Sequence, residues 1–274
     1  MVVFGTGKYL GESDITDTST QTIYGIWDYG DDVDDSEYLG AFDRASVPVL
    51  SNQPNYEVNL LQQDDIDCDP DDPNQTACDG DLFIVGDYSL RLMTQFEPDW
   101  GTTSKDAADE CLEGLGTEAC DPDGYGANPD PVNNAGWYFD LPISGERIVT
   151  DSLLRDGKAI VISYAPEQTP CGSGGFSIIH EMDACSGARL AAPVFDINED
   201  GKIDDNDVVT VQINGEDVQI PPSGLKGLGR LFPPAILRMD QKKEIKYFSS
   251  SKGKIVEMTE KAAQVGMTYW IEYQ

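Results

Sequence analysis

From Val2 to about Leu61 the chain alternates short apolar runs, "VVFG", "TIYGIWD", "VPVL" and "YEVNLL", with polar stretches rich in turn-forming residues. Runs this short suit strands better than helices, because an amphipathic helix needs a longer window with apolar positions three or four apart. After Gly136 the pattern turns into hairpins. "RIVTDSLL" and "KAIVISYA" flank Asp156-Gly157, "TVQI" and "DVQI" flank Asn214-Gly215, and "EIKYFS" and "KIVEMT" flank a turn containing Gly253. Such pairs are what a tight β-turn joins, so residues 136–274 read as an antiparallel meander, fitting a propeller or a sandwich.

Between these halves the pattern breaks. "QQDDIDCDPDDPNQTACDGD" and "CDPDGYGANPDPVNNAG" are dominated by Asp, Pro, Gly and Asn, so residues 62–135 read as an acidic, Cys-rich surface insertion that interrupts a sheet rather than building one. Its one convincing helix spans about Ser104 to Leu115, capped by Thr103 or Ser104, with Ala107, Ala108, Cys111 and Leu112 on one face. The expected organisation is therefore strands over 1–61, the insertion over 62–135, and strands over 136–274.

Charge sharpens this picture. Fifty acidic residues face eighteen basic ones, a formal charge of −32, which repels phosphate backbones and argues against nucleic-acid partners. Residues 1–135 hold 30 acidic and 4 basic side chains, the rest 20 and 14. No apolar run is long enough for a membrane-spanning helix. The opening "MVVFGTGKYLGES" has neither the basic stretch nor the apolar core of a signal peptide, as expected of a processed or truncated chain.

Six cysteines fall into three close pairs, Cys68 and Cys78, Cys111 and Cys120, Cys171 and Cys185. Local disulfides are the economical reading, although six cysteines allow 15 pairings. Zinc is the weaker alternative, with no C-x-x-C and His180 as the sole histidine. Disulfides imply an oxidising compartment: periplasm, cell surface or medium.

The strongest chemical signal is "DINEDGKIDDND", Asp196 to Asp207. A hard dication takes six to eight oxygens, which a twelve-residue loop supplies from alternate positions with a glycine at the sixth. Asp196, Asn198 and Asp200 fit positions one, three and five, Lys202 offers its carbonyl, Asp204 fits nine, and Asp207 stands where a Glu is usual. Gly201 at six and apolar Ile203 at eight do not follow from acidity alone, so calcium is the expected cofactor. "DYGDDVDDSE" and "DDIDCDPDD" lack the glycine placement and read as solvated faces.

Other residues read more plainly. His180 has no second histidine or nucleophile motif beside it and reads as a packed or exposed neutral side chain, so no catalytic residue is assigned. Trp27, Trp137, Tyr138, Tyr269 and Trp270 lie in strand-like blocks and read as packing. Trp100, within the insertion, is the candidate for a partner-binding anchor.

Two long blocks carry a resemblance. "VVFGTGKYLGESDITDTSTQTIYGIWD" and "GWYFDLPISGERIVTDSLLRDGKAIVISYAPEQTPCGSGGFSIIHEMDACSGARLAAPVFDINEDGKIDDND" resemble, in order and over roughly half the chain, the C-terminal β-propeller domain of the PilY family of type IV pilus assembly and tip-adhesin proteins. The resemblance implies an all-β chain forming the C-terminal portion of a propeller, with the stapled acidic stretch as an insertion the family pattern lacks. It also implies a calcium loop after the PVFD block, similar to Asp196 to Asp204, with occupancy linked to pilus extension against retraction. Expected partners are pilins or minor pilins, the assembly machinery and a surface receptor, at the cell surface. In the family these blocks sit late in a longer propeller. The second reading is therefore a structural subunit completing a propeller, or capping a surface filament, with another polypeptide.

Overall fold

Short apolar segments become strands because only pairing with a neighbour satisfies their backbone N–H and C=O groups while one face is buried. The computed structural model describes residues 1–26, 58–70, 77–98, 133–167, 174–213, 216–239 and 243–262. β1 (Val2–Gly5) and β2 (Thr22–Ile26) pair antiparallel, with the one-turn helix α1 (Glu12–Ile15) between them. Next come β3 (Val58–Gln63), β4 (Asp65–Ile66), β5 (Cys78–Asp79), β6 (Leu82–Val85) and β7 (Tyr88–Met93). β8 (Asn133–Asp140) lies antiparallel to β2 and parallel to β3, giving a sheet ordered β1-β2-β8-β3.

The second half follows the hairpin pattern. β9 (Arg147–Ile148), β10 (Leu153–Arg155), β11 (Lys158–Pro166) and β12 (Gly175–Asp183) are followed by the separate pair β13 (Val209–Ile213) and β14 (Glu216–Ile220). β15 (Gly224–Leu228) then completes the largest sheet, ordered β10-β11-β12-β15-β7-β6-β5, with β4 beside β7 and β9 beside β11. A last sheet holds β16 (Ala235–Arg238), β17 (Lys243–Ser249) and β18 (Ile255–Lys261). The expected turn at Asp156-Gly157 forms, both residues taking left-handed backbone at φ 54° and 78° between the paired Arg155 and Lys158, as a type I′ hairpin requires. β17 and β18 likewise flank Gly253, at φ 73°.

The expected surface insertion needs correction in its described part. Residues 65–93 supply β4 to β7, and β7 pairs with β15 inside the largest sheet. Phe83, Leu90 and Leu92 are fully buried. The alternating pattern of "DLFIVGDYSLRLM" is a strand signal, masked by the acidic residues on either side. The expected helix at 104–115, with Cys111, Cys120 and Trp100, lies outside the described residues, as do Cys171, Trp27, Tyr269 and Trp270.

The largest sheet is covered on both faces. Ile160, Ile162, Ile179, Leu90 and Leu92 point into one core with Phe195 and Phe248. Ala159, Val161, Met182 and Met93 point into the other, around Trp137 and Phe139. Burial on both faces explains why "KAIVISYA" is a continuous apolar run rather than an alternating one. Trp137 takes the packing role expected of it, its indole N–H donating to the Ala184 carbonyl at 3.1 Å. Gly187, at φ 70°, lies against that ring, and a Cβ there would come within 2.3 Å of it.

Cys68 and Cys78 form a disulfide; Cys185 is exposed and has no disulfide partner among the described residues. The Cys68–Cys78 loop restrains few residues, so Cys68→Ala with Cys78→Ala is expected to cost about 2–3 kcal/mol, read as a lower urea midpoint at unchanged slope. An unshifted midpoint would show that the strands alone hold this corner.

Candidate metal-binding loop

Strand β12 ends at Asp183, and the chain returns through Phe195 to the Asp196–Asp207 loop before entering β13. The loop is fixed at both ends by burial. Phe195 and Ile197 are in the core, Phe195 bridges to Glu260 of β18, and Val209 is buried where β13 begins. Between these anchors Asn198 to Lys202 are exposed, and Glu199 and Gly201 take left-handed backbone at φ 58° and 79°. The glycine at the sixth position thus makes the bend for which it is needed.

Four of the expected ligand side chains are each oriented by a backbone N–H. Asp196 Oδ2 accepts from Gly201 N at 3.0 Å, Asn198 Oδ1 from Asp200 N at 2.9 Å, Asp200 Oδ1 from Lys202 N at 2.8 Å, and Asp204 Oδ1 from Asn206 N at 3.0 Å. Asp196 Oδ1 is buried and has no hydrogen-bond partner. A buried carboxylate oxygen without a donor is costly unless a cation or solvent answers it. The oxygen-only donor set suits a hard cation such as calcium. Among the described residues no three His, Cys, Asp or Glu side chains already converge as a metal cluster.

Asp207 has a different place from the one its position in the loop suggests. It is fully buried, and its two oxygens accept from Ile197 N and Asp204 N, both at 2.9 Å, stapling the loop shut. The Lys202 side chain is exposed and lies 3.9 Å from Asp200. The sequence reading missed two further supports. Lys243 donates to the Gly201 carbonyl, and the Tyr88 hydroxyl reaches Glu199 at 3.1 Å. No local signal marks them, because β7 and β17 approach the loop only in the fold.

Behind the loop lies a buried charge box. Lys246 donates to Glu181 and Glu260, and Lys158 reaches the same two carboxylates at 2.7 and 3.0 Å. Lys246, Glu181 and Glu260 are fully buried. The box joins the largest sheet, through β11 and β12, to the β16–β18 sheet. Burial works to raise Glu181, but its hydrogen bond with Glu260 and the two lysines outweigh burial and hold it down at about 2. For Glu260, burial and the neighbouring Glu181 charge win, and it is pushed up to about 8.

A second polar cluster occupies the opposite face of the largest sheet. Arg91 grips Glu146 through two bonds of 2.8 and 2.9 Å, while His180 Nε2 lies 3.0 Å from Ser163 Oγ and 3.5 Å from Glu146. These residue types invite comparison with a catalytic triad. The arrangement differs, since serine and acid share one imidazole nitrogen, Nδ1 is unpartnered, and all three side chains are buried. Burial and the Arg91 charge lower the His180 pKa, so it is a packed neutral side chain. Next in sequence, Arg147 donates to the carbonyls of Lys8, Asp14, Asp17 and Gly145. It thereby ties the "GER" segment to the "GTGKYLGESDITDT" segment. Two blocks far apart in sequence are one structural unit.

The comparisons with known proteins agree with one another. The chain is 23% identical over 237 residues to the type IV pilus biogenesis factor PilY1 of Pseudomonas aeruginosa strain PAO1, covering 84% of this chain and 16% of that protein. It is 25% identical over 210 residues to PilY1 of strain UCBPP-PA14, covering 74% and 14%. The chain thus spans about one sixth of the length of these curated relatives. The fold matches the crystal structure of the Pseudomonas aeruginosa PilY1 C-terminal domain with a TM-score of 0.57 at 21% identity, over 94% of this chain and 41% of that one. No family model matches. In sequence and in its propeller-like all-β fold, the chain resembles the C-terminal domain of PilY proteins.

Proposed function

We propose that this chain is the calcium-binding β-propeller part of a type IV pilus tip or assembly protein, non-enzymatic and held at the cell surface. In this reading it serves pilus biogenesis, the control of extension and retraction, and adhesion, through contacts with pilins or minor pilins and the assembly machinery. The similarity to PilY1 supports the pilus role. No helix among the described residues is long and apolar enough to cross a membrane. The observation that carries the calcium reading is the loop itself. Gly201 makes the left-handed bend, Asp196 keeps a buried oxygen without a donor, and Asn198, Asp200 and Asp204 are each pre-oriented by a backbone N–H. The cation would supply positive charge that offsets these carboxylates. Asp196, Asn198, Asp200, Asp204 and the Lys202 carbonyl would hold it, with Asp207 fixing the loop ends.

Calorimetric titration of the chelator-treated protein with calcium tests this reading. One site per chain is expected, lost in Asp200→Ala with Asp204→Ala. Equal heats from the two proteins would make the loop an acidic turn and remove calcium from the mechanism.

A further inference from the structure

We infer that the groove between β15 and β18 is a docking slot for an extended basic segment of a partner protein, which adds to the free edge of β18 as a further strand. β18 pairs with β17 along its whole length, from Ile255 opposite Ser249 to Lys261 opposite Lys243. On its other side Glu260 bridges to Phe195. From Ile255 to Thr259 that outer edge has no strand partner among the described residues. An antiparallel edge points both N–H and C=O outward at every second residue, which is a template for another strand.

The opposite wall is also an edge. β15 pairs with β7 only at Gly224 and Leu225, then leaves it, so Lys226 to Leu228 border the same groove. The space is about 530 Å³. Phe195, Leu225 and Met258 line it, and Leu228 and Ile255 stand at its mouth, 66% and 73% exposed. Five residues of edge extend roughly 17 Å, the length of a short strand. Main-chain pairing supplies affinity in this mode, and pockets for alternate side chains supply selectivity.

Charge selects the occupant. Asp87, Glu199 and Glu257 stand around the groove. Of its two lysines, Lys226 is committed to Asp79 at 2.6 Å and to the Phe176 ring, leaving Lys254 to oppose them. The rim is therefore net acidic and favours a strand carrying Lys or Arg between apolar residues. A second copy of this chain, at −32, is electrostatically the wrong occupant. The groove borrows Asp196, Glu199 and Gly201 from the candidate metal loop, so its charge is tested with and without calcium.

The test is fluorescence anisotropy of the full chain with a labelled Lys-Val-Lys-Val-Lys-Val-Lys peptide, run with calcium and with chelator. Two control peptides accompany it, one with Glu in place of Lys and one N-methylated along both edges. The basic peptide is expected to bind in at least one buffer, with both controls at least tenfold weaker. Glu257→Lys with Asp87→Lys, both at exposed positions, is expected to weaken it at least tenfold at an unchanged melting temperature. No binding in either buffer overturns the inference. So does equal binding of the N-methylated peptide, which would mark mere charge attraction, or indifference to the two substitutions. Sedimentation showing a dimer that Glu257→Lys dissolves would also overturn it, by assigning the groove to a second copy.

Discussion

Lys246→Met is expected to lower the unfolding free energy by about 3–5 kcal/mol, because it removes one member of a buried ionic cluster and leaves its partners uncompensated. Lys246 is fully buried and donates to both Glu181 and Glu260. At pH 9, above the value of about 8 to which Glu260 is pushed, two buried carboxylates would then share the single ammonium of Lys158, which is itself partly buried, so the loss is to be measured there. The loss should appear in urea unfolding followed by tryptophan fluorescence, and as a melting temperature lower by on the order of 10 °C. Lys246→Met combined with Glu260→Gln should recover part of the loss, since neutralising both sides restores the balance. A single-variant loss under about 1 kcal/mol would mean that water or Lys158 already compensates the carboxylates. The inter-sheet clamp would then be discarded.

Stability should also fall on the alkaline side, by on the order of 5 kcal/mol between pH 5 and pH 9. Glu260 is pushed up to about 8 in the folded protein, from an ordinary value of 4.5. The folded state therefore binds more protons than the unfolded chain across that window, and it loses stability as pH rises through it. Asp65, buried beside Arg91 and pushed up to about 8 by that burial, acts in the same direction. Glu181 has the opposite sign. Its value is held down at about 2, so its contribution is present above about pH 4.5 and is lost as pH falls toward 2. Glu146, lowered by Arg91 against its own burial, adds to that acidic limb. Urea midpoints measured from pH 3 to pH 9 check both limbs. Glu260→Gln should reduce the alkaline limb to the share that Asp65 carries and leave the Glu146 part of the acidic limb in place; an unchanged alkaline limb would assign it to Asp65 or another group.

The proposed docking groove and the candidate metal loop share a wall, since Asp196, Glu199 and Gly201 belong to both. Glu260 links them to the charge box through its bridge with Phe195. Loop, groove and inter-sheet clamp are therefore adjacent parts of one region, built where β18 packs against the largest sheet. Because each has its own readout, namely heats, peptide anisotropy and unfolding midpoints, failure of one leaves the other two standing.

The sequence by itself determined what depends on neighbours along the chain. Asp156-Gly157 and Gly253 needed left-handed backbone, and they mark two hairpin turns that the structure contains. The Asp196–Asp207 loop was visible because a bend and its oxygen donors are set by alternate positions in twelve residues. The blocks around "GTGKYL" and "GERIVT" were legible as one family pattern, although their reason, Arg147 reaching four carbonyls, was not. Tertiary structure decided whatever turns on pairing across long separations. Strands β4 to β7 belong to the main sheet because β15, more than a hundred residues later, lies beside β7. Lys158 meets Glu260 across 102 positions, and no local pattern distinguishes either from the many solvated charges of an acidic chain. Asp207 shows the same limit inside the loop, where its sequence position did not reveal its full burial or its backbone partners. Burial turned both its oxygens to backbone N–H groups, because a carboxylate taken out of water takes the nearest donors available.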